Sequence, residues 1–502
     1  MKNRTFRRTT ILYAALVALM ITTMPHRSLA QQETPPPPSA PRSVTLPKPV
    51  EKTLKNGLRV IVIERGVVPL AAAQLLVKTG GEADPQELAG LANLTADLLT
   101  EGTATRTAPQ IAEAVEMLGG SIESGGLWDA SAARVRVMSE KLDPAMAILA
   151  DIVRNPSFKQ EEIERQRQQL LDQLSVDMSN PGRLARFVAS RVVFGSSPYG
   201  HLLSGTPETI ARIDRNDIVK FHQTYYRPDN AILVIGGHVK PDDAFRLAEK
   251  VFGDWARPAV PIPGPTSAMK EAAMQTQPPR VLVIDKPDAG QAAVVLVRTG
   301  LKRTDPDYYR GIVTNSVLTG YSGRLNQEIR IKRGLSYGAR SALDVRRDVG
   351  PFIAETQTKN PTGAQVASLL VSELGRLSSE AITEAELVPR KAVLIGNFGR
   401  SLETVSGLVT QIGSLALYGL SLDEINSYIR NVQAITAGDI QKFAGTRLGA
   451  KDASIIIVGK ASDFMEELTK QFPNVEVIRE SELDLNAATL KKKQAQSGVI
   501  NK

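Results

Sequence analysis

Leucines recur at helical spacing along residues 90–103, and Gly102 follows where a glycine commonly ends a helix. Asn93 and Asp97 lie four positions apart, so a helix places both side chains on the same face. The pattern therefore predicts a short amphipathic helix that carries two polar side chains close together.

The remaining apolar patterns predict strands and helices in irregular alternation. Those predicted for the first half are two strands joined by an Asn-Gly turn within 54–63, strands at 73–77, 133–138 and 230–235, and helices at 108–118, 143–153, 161–178 and 241–252. Because strands and helices do not alternate one by one, a doubly wound parallel sheet is disfavoured. We expect an α+β fold.

An internal repeat is the strongest signal of domain organisation. Residues 71–80 resemble residues 291–300 at an offset of 220, and residues 213–221 resemble residues 435–443 at an offset of 222. Two matches at nearly the same offset are hard to obtain by chance. They predict an internal duplication that produces two similar domains.

The first 30 residues are typical of a secretory signal peptide, with a basic start, an apolar run and a small-x-small triplet. A membrane anchor is the alternative, but the run is short for a bilayer span. We expect cleavage and a periplasmic or secreted location. The predicted organisation is a signal peptide at 1–30, a proline-rich leader at 31–45, an N-terminal domain at 46–256, a proline-rich linker at 257–280, a C-terminal domain at 281–475 and a polar tail at 476–502.

Composition narrows the class of function. A chain of 502 residues is too long for one ordinary core. Its formal net charge is +8, but residues 1–30 hold five basic residues and no acidic one, which leaves 56 basic and 53 acidic residues. That balance does not predict nucleic-acid binding. With no cysteine, the chain has no disulfide, thiolate metal site or cysteine nucleophile.

Residues 90–103 read Gly-Leu-Ala-Asn-Leu-Thr-Ala-Asp-Leu-Leu-Thr-Glu-Gly-Thr. They resemble the zinc-binding helix of the family that contains pitrilysin, insulin-degrading enzyme and mitochondrial processing peptidase, in which the motif H-x-x-E-H lies in a similar frame. The resemblance covers most of residues 54–472. It implies two homologous, metallopeptidase-like α+β sandwich domains, each an antiparallel-rich sheet with helices packed on it. It also implies that two half-size chains enclose an unfolded peptide.

The same resemblance locates a degenerate zinc site. In active members two histidines and a glutamate bind zinc, and a second glutamate takes a proton from the metal-bound water. Here Asn93 and Asp97 occupy the histidine positions, and Ala96 occupies the position of the general base. Gln166 and Gln173 lie on the second helix, Gln173 at the position of the third ligand. The resemblance therefore implies no zinc and no catalytic residue in this chain.

A different metal is the alternative for this site. Oxygen ligands suit Ca²⁺ or Mg²⁺ better than Zn²⁺, but Asn93 and Asp97 are more simply interpreted as polar residues that line a cavity or cap the helix. The histidines outside the signal peptide, His201, His222 and His238, have no partner one helical turn away. We therefore predict no metal in this chain.

The second half carries a motif that is intact. Residues 323–337 resemble the R-L-x-x-x-(L/I)-R-x-x-x-G-L-x-Y stretch of the family. The resemblance implies that Arg330 and Tyr337 bind substrate and stabilise the oxyanion from the side opposite the zinc. The alternative is that Arg330 is a surface charge of a helix and Tyr337 a core residue of a strand.

These interpretations lead to one expected function. We expect the non-zinc-binding subunit of a heterodimeric metallopeptidase, with zinc in a homologous partner chain and an unfolded or extended peptide as substrate. We expect no nucleic-acid partner and no stable membrane span after signal cleavage. The alternative is a catalytically inert structural subunit or a peptide-binding, chaperone-like chamber.

Overall fold

The computed structural model describes residues 46–66, 68–263 and 278–493. The predicted signal peptide and leader lie outside these residues, as does the middle of the predicted linker. Among the helices of the described ranges, none is long and apolar enough to cross a membrane.

The first half contains one six-stranded sheet and eight helices within the described residues. Its strands are β1 Val50–Thr53, β2 Arg59–Glu64, β3 Leu70–Val77, β4 Ser121–Gly126, β5 Ser131–Met138 and β6 Ala231–Gly237. Its helices are α1 Leu91–Asp97, α2 Ala108–Glu116, α3 Leu142–Arg154, α4 Gln160–Ser179, α5 Pro181–Phe194, α6 Pro207–Arg212, α7 Arg215–Tyr225 and α8 Pro241–Phe252. The strand order is β1-β2-β6-β3-β5-β4.

The second half repeats this plan. Its strands are β7 Val281–Asp285, β8 Ala292–Thr299, β9 Ala339–Leu343, β10 Pro351–Thr358, β11 Ser454–Gly459 and β12 Val475–Arg479, in the order β12-β7-β11-β8-β10-β9. Its helices are α9 Tyr308–Leu318, α10 Arg324–Asn326, α11 Gly363–Ser379, α12 Glu384–Ser401, α13 Val405–Leu417, α14 Glu424–Ala434, α15 Ala437–Arg447 and α16 Met465–Gln471. One π-helical turn, Gln327–Ile331, follows α10 directly.

Strand pairing confirms the duplication. Strand β2 is parallel to β6 as β7 is to β11, and the next three pairings toward β4 and β9 are antiparallel in both sheets. Only the other edge differs, because β1 is antiparallel to its neighbour and β12 is parallel. The expected α+β class with two homologous, helix-covered sheets is therefore correct.

The structure shifts one of the two sequence matches by a residue. An offset of 220 pairs Ala72 with Ala292, but Ala72 packs in the cluster under α13 whereas Ala292 packs in the core of its own half. Side chains alternate between the faces of a strand, so a shift of one residue reverses every facing. Matching Leu75 with Leu296 restores it, because both face their own core and lie opposite Leu233 and Ile455 respectively.

Each half lends a helix to the sheet of the other half. Helix α5 packs on β8 and β11, and helix α13 packs on β3 and β6. The outer face of each sheet is therefore buried under a helix that belongs to the other repeat. This explains why β6 and β11 are buried at every position, since a strand covered on both faces has no solvent side.

A buried polar cluster also joins the halves. The Asp129 carboxylate accepts hydrogen bonds from the hydroxyls of Tyr199 and Tyr418, the latter at 3.1 Å, and from the backbone N–H of Arg347 at 2.8 Å. The Arg347 guanidinium donates to Glu82 at 2.7 Å. Burial raises the pKa of Glu82 to about 7, and Arg347 opposes that shift.

The C-terminal boundary differs from the expectation. The predicted domain ends at residue 475, but strand β12 begins at Val475 and pairs with β7 over five positions. Beyond it, Leu485 and Leu490 are buried against the cluster under α5. The second domain therefore includes the first part of the predicted polar tail, because apolar side chains at a few positions anchor a segment that is polar in composition.

Candidate functional site

Helix α1 has the predicted position but ends early. The α-helix stops at Asp97 and continues as a single 3₁₀ turn, and Gly102 adopts a φ of +136° beyond it. The end of β4 crosses the helix closely. A Cβ on Gly126 would lie 2.6 Å from the Asn93 Cα, so glycine is required for this approach.

Asn93 and Asp97 bind each other. The Asn93 Nδ2 donates to the Asp97 Oδ2 at 2.9 Å, which confirms that the two side chains share a face. Ala96 between them is fully buried. Burial raises the pKa of Asp97 to about 6; the nearby Glu101 carboxylate adds to this, and the bond from Asn93 opposes it.

The two glutamines of α4 bind other carboxylates. The Gln166 Nε2 donates to Glu101 Oε1 at 2.8 Å, and the exposed Gln173 donates to Asp177 Oδ1 at 3.0 Å. Asp177 also faces the Arg183 guanidinium at 3.7 Å. The structure thus brings Asn93 and Asp97 together and gives each glutamine a different partner.

These residues do not fit a zinc ion. Asn93, Gln166 and Gln173 are neutral amides whose N–H groups already donate to carboxylates, whereas zinc sites use imidazole, thiolate and carboxylate ligands. Across residues 46–66, 68–263 and 278–493, no group of three His, Cys, Asp or Glu residues has the arrangement to bind a metal. Asp97 is the only carboxylate among the five degenerate positions.

Two of the histidines have structural surroundings. Both ring nitrogens of the buried His201 lie 2.9 Å from backbone carbonyl oxygens, of Leu202 and Gly81. His222 contacts the Val153 carbonyl at 2.8 Å and stacks on Tyr226. Burial lowers the pKa of both histidines, that of His222 to about 4.

The predicted pair of the second half is brought together. The Arg330 Cζ lies 4.9 Å from the centre of the Tyr337 ring. Tyr337 is 91% exposed, so the alternative of a strand core residue is wrong. Arg330 belongs to the π-helical turn Gln327–Ile331, a local widening that is common at functional sites.

Two further residues complete this site and were not predicted. The ring of Tyr321, which is 71% exposed, lies 5.5 Å from the Arg330 Cζ on a separate segment. The buried Asn326 donates from Nδ2 to the Tyr321 carbonyl at 2.6 Å and accepts from the Ala339 N–H at 3.3 Å. One amide therefore joins the segments that carry the two tyrosines.

A cavity of about 770 Å³ opens beside the pair. The N-terminal end of α5 from the first half and strands β8 and β10 from the second half line it. Tyr321, Arg330 and Tyr337 stand at this cavity, which we call the arginine cavity because its charged lining residues are four arginines and one glutamate: Arg183, Arg186, Arg330, Arg340 and Glu355. Neither half forms it alone.

Family models identify the class of protein. Residues 59–196 match the model for insulinase, peptidase family M16, and residues 212–394 match the model for the peptidase M16 inactive domain. The chain belongs to the M16 peptidase family.

Similarity to individual proteins of known sequence or structure supports this family assignment. An uncharacterised zinc protease of Mycobacterium leprae is 26% identical over 412 residues, which is 82% of this chain and 92% of that protein. One of Rickettsia bellii is 28% identical over 418 residues, 81% and 96% of the two chains. A peptidase M16 inactive domain from Pseudomonas fluorescens superposes with a TM-score of 0.75 at 26% identity, covering 82% of this chain and 98% of that one.

A protease from Helicobacter pylori has the same fold. It superposes with a TM-score of 0.74 at 22% identity and covers 82% of this chain and all of that one. A chain of Complex III from Candida albicans superposes with a TM-score of 0.68 at 16% identity. The fold thus occurs in proteins described as a protease and as part of a larger complex.

Proposed function

We propose that this chain is the non-zinc-binding subunit of a secreted or periplasmic heterodimeric metallopeptidase. Its role is to supply Arg330 and Tyr337 to a homologous partner that binds zinc. The observation that supports this most is which polar side chains already have partners within the chain. The polar residues at the degenerate zinc positions bind one another or nearby carboxylates, whereas the exposed Tyr337 lies beside Arg330 at an open cavity.

The chemistry of the pair fits an extended peptide. A guanidinium and a phenol both donate hydrogen bonds, and two donors directed at one carbonyl oxygen stabilise the negative charge that develops when the carbonyl is attacked. The exposed position of Tyr337 leaves its hydroxyl accessible to a second chain. Strand β9, at the edge of its sheet, begins two residues after Tyr337, so a peptide that follows this edge would run past the pair; the Ala339 and Ser341 N–H groups themselves already donate to Asn326 and Thr319.

The first experiment measures zinc content and peptidase activity on an unfolded peptide, for the chain alone and together with a secreted homologue that carries H-x-x-E-H. We expect neither zinc nor activity in the isolated chain, and activity in the mixture. One bound zinc with activity in the isolated chain would overturn the proposal. A stable complex that is inactive would instead indicate a structural or peptide-binding chamber.

The second experiment tests the pair within the active complex. Removing one oxyanion donor lowers kcat by about 10²-fold or more in other hydrolases. We expect that loss from Arg330→Ala, and a loss from Tyr337→Phe, which removes only the hydroxyl. Arg246→Ala, an exposed arginine of α8, is the matched control and should leave kcat unchanged. Full activity of both site variants would refute the role of the pair.

A further inference from the structure

The arginine cavity has an excess of positive charge. Arg186 and Arg340 both donate from Nε to the same carboxylate, that of Glu355, at 2.6 and 2.5 Å. Glu355 is the one acidic residue of the lining, and its side chain is only 14% exposed. Two arginines therefore share a single negative charge, and the site has no counter-charge to spare for a third.

The other two arginines are less satisfied. Arg183 lies 3.7 Å from Asp177 and is 57% exposed, which is a weak surface pair. For Arg330, no carboxylate of the described residues lies within 4.0 Å of the guanidinium, although the neighbouring Lys332 and Arg333 both pair with Glu328. Arg330 therefore keeps its donors toward the cavity.

The corresponding face of the first half has fewer arginines. Strand alternation places Gln74, Arg134 and Arg136 on this face, and Arg134 pairs with Glu123 across the strands. A Cβ on Gly413 of α13 would lie 3.2 Å from the Gln74 Oε1, so the helix lies close to the sheet. Helix α13 carries no arginine, whereas α5 contributes two of the four arginines of the cavity, so the surplus comes from the covering helix.

From these observations we infer that the arginine cavity binds a carboxylate of the peptide substrate. The planar fork of arginine matches a carboxylate with two parallel hydrogen bonds. An incoming carboxylate accepts hydrogen bonds from Arg183 and adds a second negative charge beside the pair shared at Glu355, while Arg330 keeps its donors for the peptide carbonyl. The inference rests on the proposed function in one respect, namely that the ligand is a peptide.

The test uses binding and does not require a partner. Four labelled unfolded peptides, with an internal glutamate or glutamine and with a free or amidated C-terminus, are titrated against the isolated full chain by fluorescence anisotropy. We expect the glutamate peptide or the free C-terminus to bind about tenfold more tightly than its neutral counterpart, the usual scale for a charged hydrogen bond. High salt should reduce that preference.

Variants that change the charge of the arginine cavity in opposite directions make the test specific. Arg183→Gln and Arg340→Gln should each weaken the preference for the carboxylate. Glu355→Gln should strengthen it, because Arg186 and Arg340 then lose their shared internal carboxylate. Arg246→Gln, an exposed arginine outside the cavity, should change nothing. None of these residues belongs to the proposed catalytic pair.

The possible outcomes separate the two proposals. Preference for the internal glutamate identifies a side-chain carboxylate as the ligand, and preference for the free C-terminus identifies the chain end; either supports the inference. Equal binding of all four peptides, absence of binding at low salt, or no gain from Glu355→Gln overturns it. Turnover of the complex tests the pair independently, so the failure of one does not imply the failure of the other.

Discussion

The two halves of this chain have the same sheet but opposite charge at an equivalent place. In the first half Arg134 on β5 lies opposite Glu123 on the edge strand β4; in the second half Glu355 on β10 lies opposite Arg340 on the edge strand β9. Both pairs are ionic, so the pairing survived duplication while its polarity reversed. Each half therefore has a complementary pair at this place, with the two signs exchanged between the strands.

The halves differ more in what their polar side chains are free to do. Asn93 and Asp97 of the first half bind each other, and neither has the imidazole of a zinc-binding histidine. Arg330 and Tyr337 of the second half remain available beside a cavity. The same architecture therefore pairs its polar side chains with each other in one half and leaves them exposed at a cavity in the other.

The largest effect should come from the core that each half forms for itself. Leu75→Ala and Leu296→Ala each remove a fully buried side chain at equivalent positions, and each should lower the free energy of unfolding by about 2–5 kcal/mol. Because each half lends a helix to the other, both variants should shift one common urea transition. Val388→Ala, half exposed on α12, is the control. Two separate transitions would show that the halves unfold independently.

The next effect separates the two polar sites. In the active complex Arg330→Ala should lower kcat by about 10²-fold because it removes an oxyanion donor. Asn93→Ala should leave kcat within about twofold, since the partly buried hydrogen bond to Asp97 is worth only about 1 kcal/mol and lies outside the proposed reacting groups. The measurement is the steady-state kcat of each variant in complex with a zinc-loaded partner. A large loss from Asn93→Ala would mean that the first half still contributes chemistry.

A smaller effect is expected for Asn326, which we describe as a positioning residue. Asn326→Ala leaves the Tyr321 carbonyl and the Ala339 N–H without their shared amide, so both tyrosine segments loosen. We expect kcat to fall about tenfold with the assembly of the complex unchanged. Asn397→Ala on the exposed side of α12 is the matched control. If only thermal stability changed and kcat did not, Asn326 would be merely structural.

The pH dependence of stability should show that the charged form of Asp97 destabilises the first half. Its folded pKa, about 6, is raised above the ordinary value of 3.8, so the native state binds the proton more tightly than the unfolded chain. The contribution of Asp97 to stability is therefore present below pH 4 and is lost as the pH rises through about 6.

The measurement is the difference in urea midpoint between Asp97→Asn and the wild type. We expect no difference near pH 4 and a more stable variant above about pH 6, because asparagine remains neutral throughout. The exposed Asp172→Asn should show no such trend. A variant that is less stable at high pH would contradict the assigned direction.

The smallest effect concerns the reversed ion pairs. Glu123→Arg places two arginines opposite each other and should cost up to about 1 kcal/mol in the free energy of unfolding. Adding Arg134→Glu gives the first half the polarity of the second and should recover the loss. Chemical denaturation of the single and double variants measures the coupling. Failure of the double variant to recover stability would show that polarity matters to the first half.

Much of the fold could be predicted, because its signals are local or repeat. Apolar spacing located α1, α4 and β3 to within a few residues, and the duplicated segments predicted two similar domains. The one-residue error in the repeat had a physical cause. The two segments that end in Thr-Gly match well by residue identity, but which face of the sheet a side chain occupies depends on the elements that pack on that face. Only the two clusters under α5 and α13 reveal that.

The site was predicted in part. Helical spacing alone placed Asn93 and Asp97 together, whereas Arg330 and Tyr337 came from a family resemblance. Tyr321 and Asn326 were missed because their contacts join loops and a π-helical turn that periodicity does not describe. The secretory signal, the zinc-bearing partner and the peptide remain predictions.

The sequence by itself determined which side chains exist: an asparagine and an aspartate four residues apart, an arginine and a tyrosine seven residues apart, and one α+β plan that occurs twice. Only the tertiary structure decided which of them remain free. Asn93 binds Asp97, and Gln173 binds Asp177. Arg330 instead lies beside two tyrosine rings, at an open cavity that both halves form. The reason is that spacing along the chain fixes the faces of a helix or strand, while burial, exposure and pairing depend on the segments that pack against those faces.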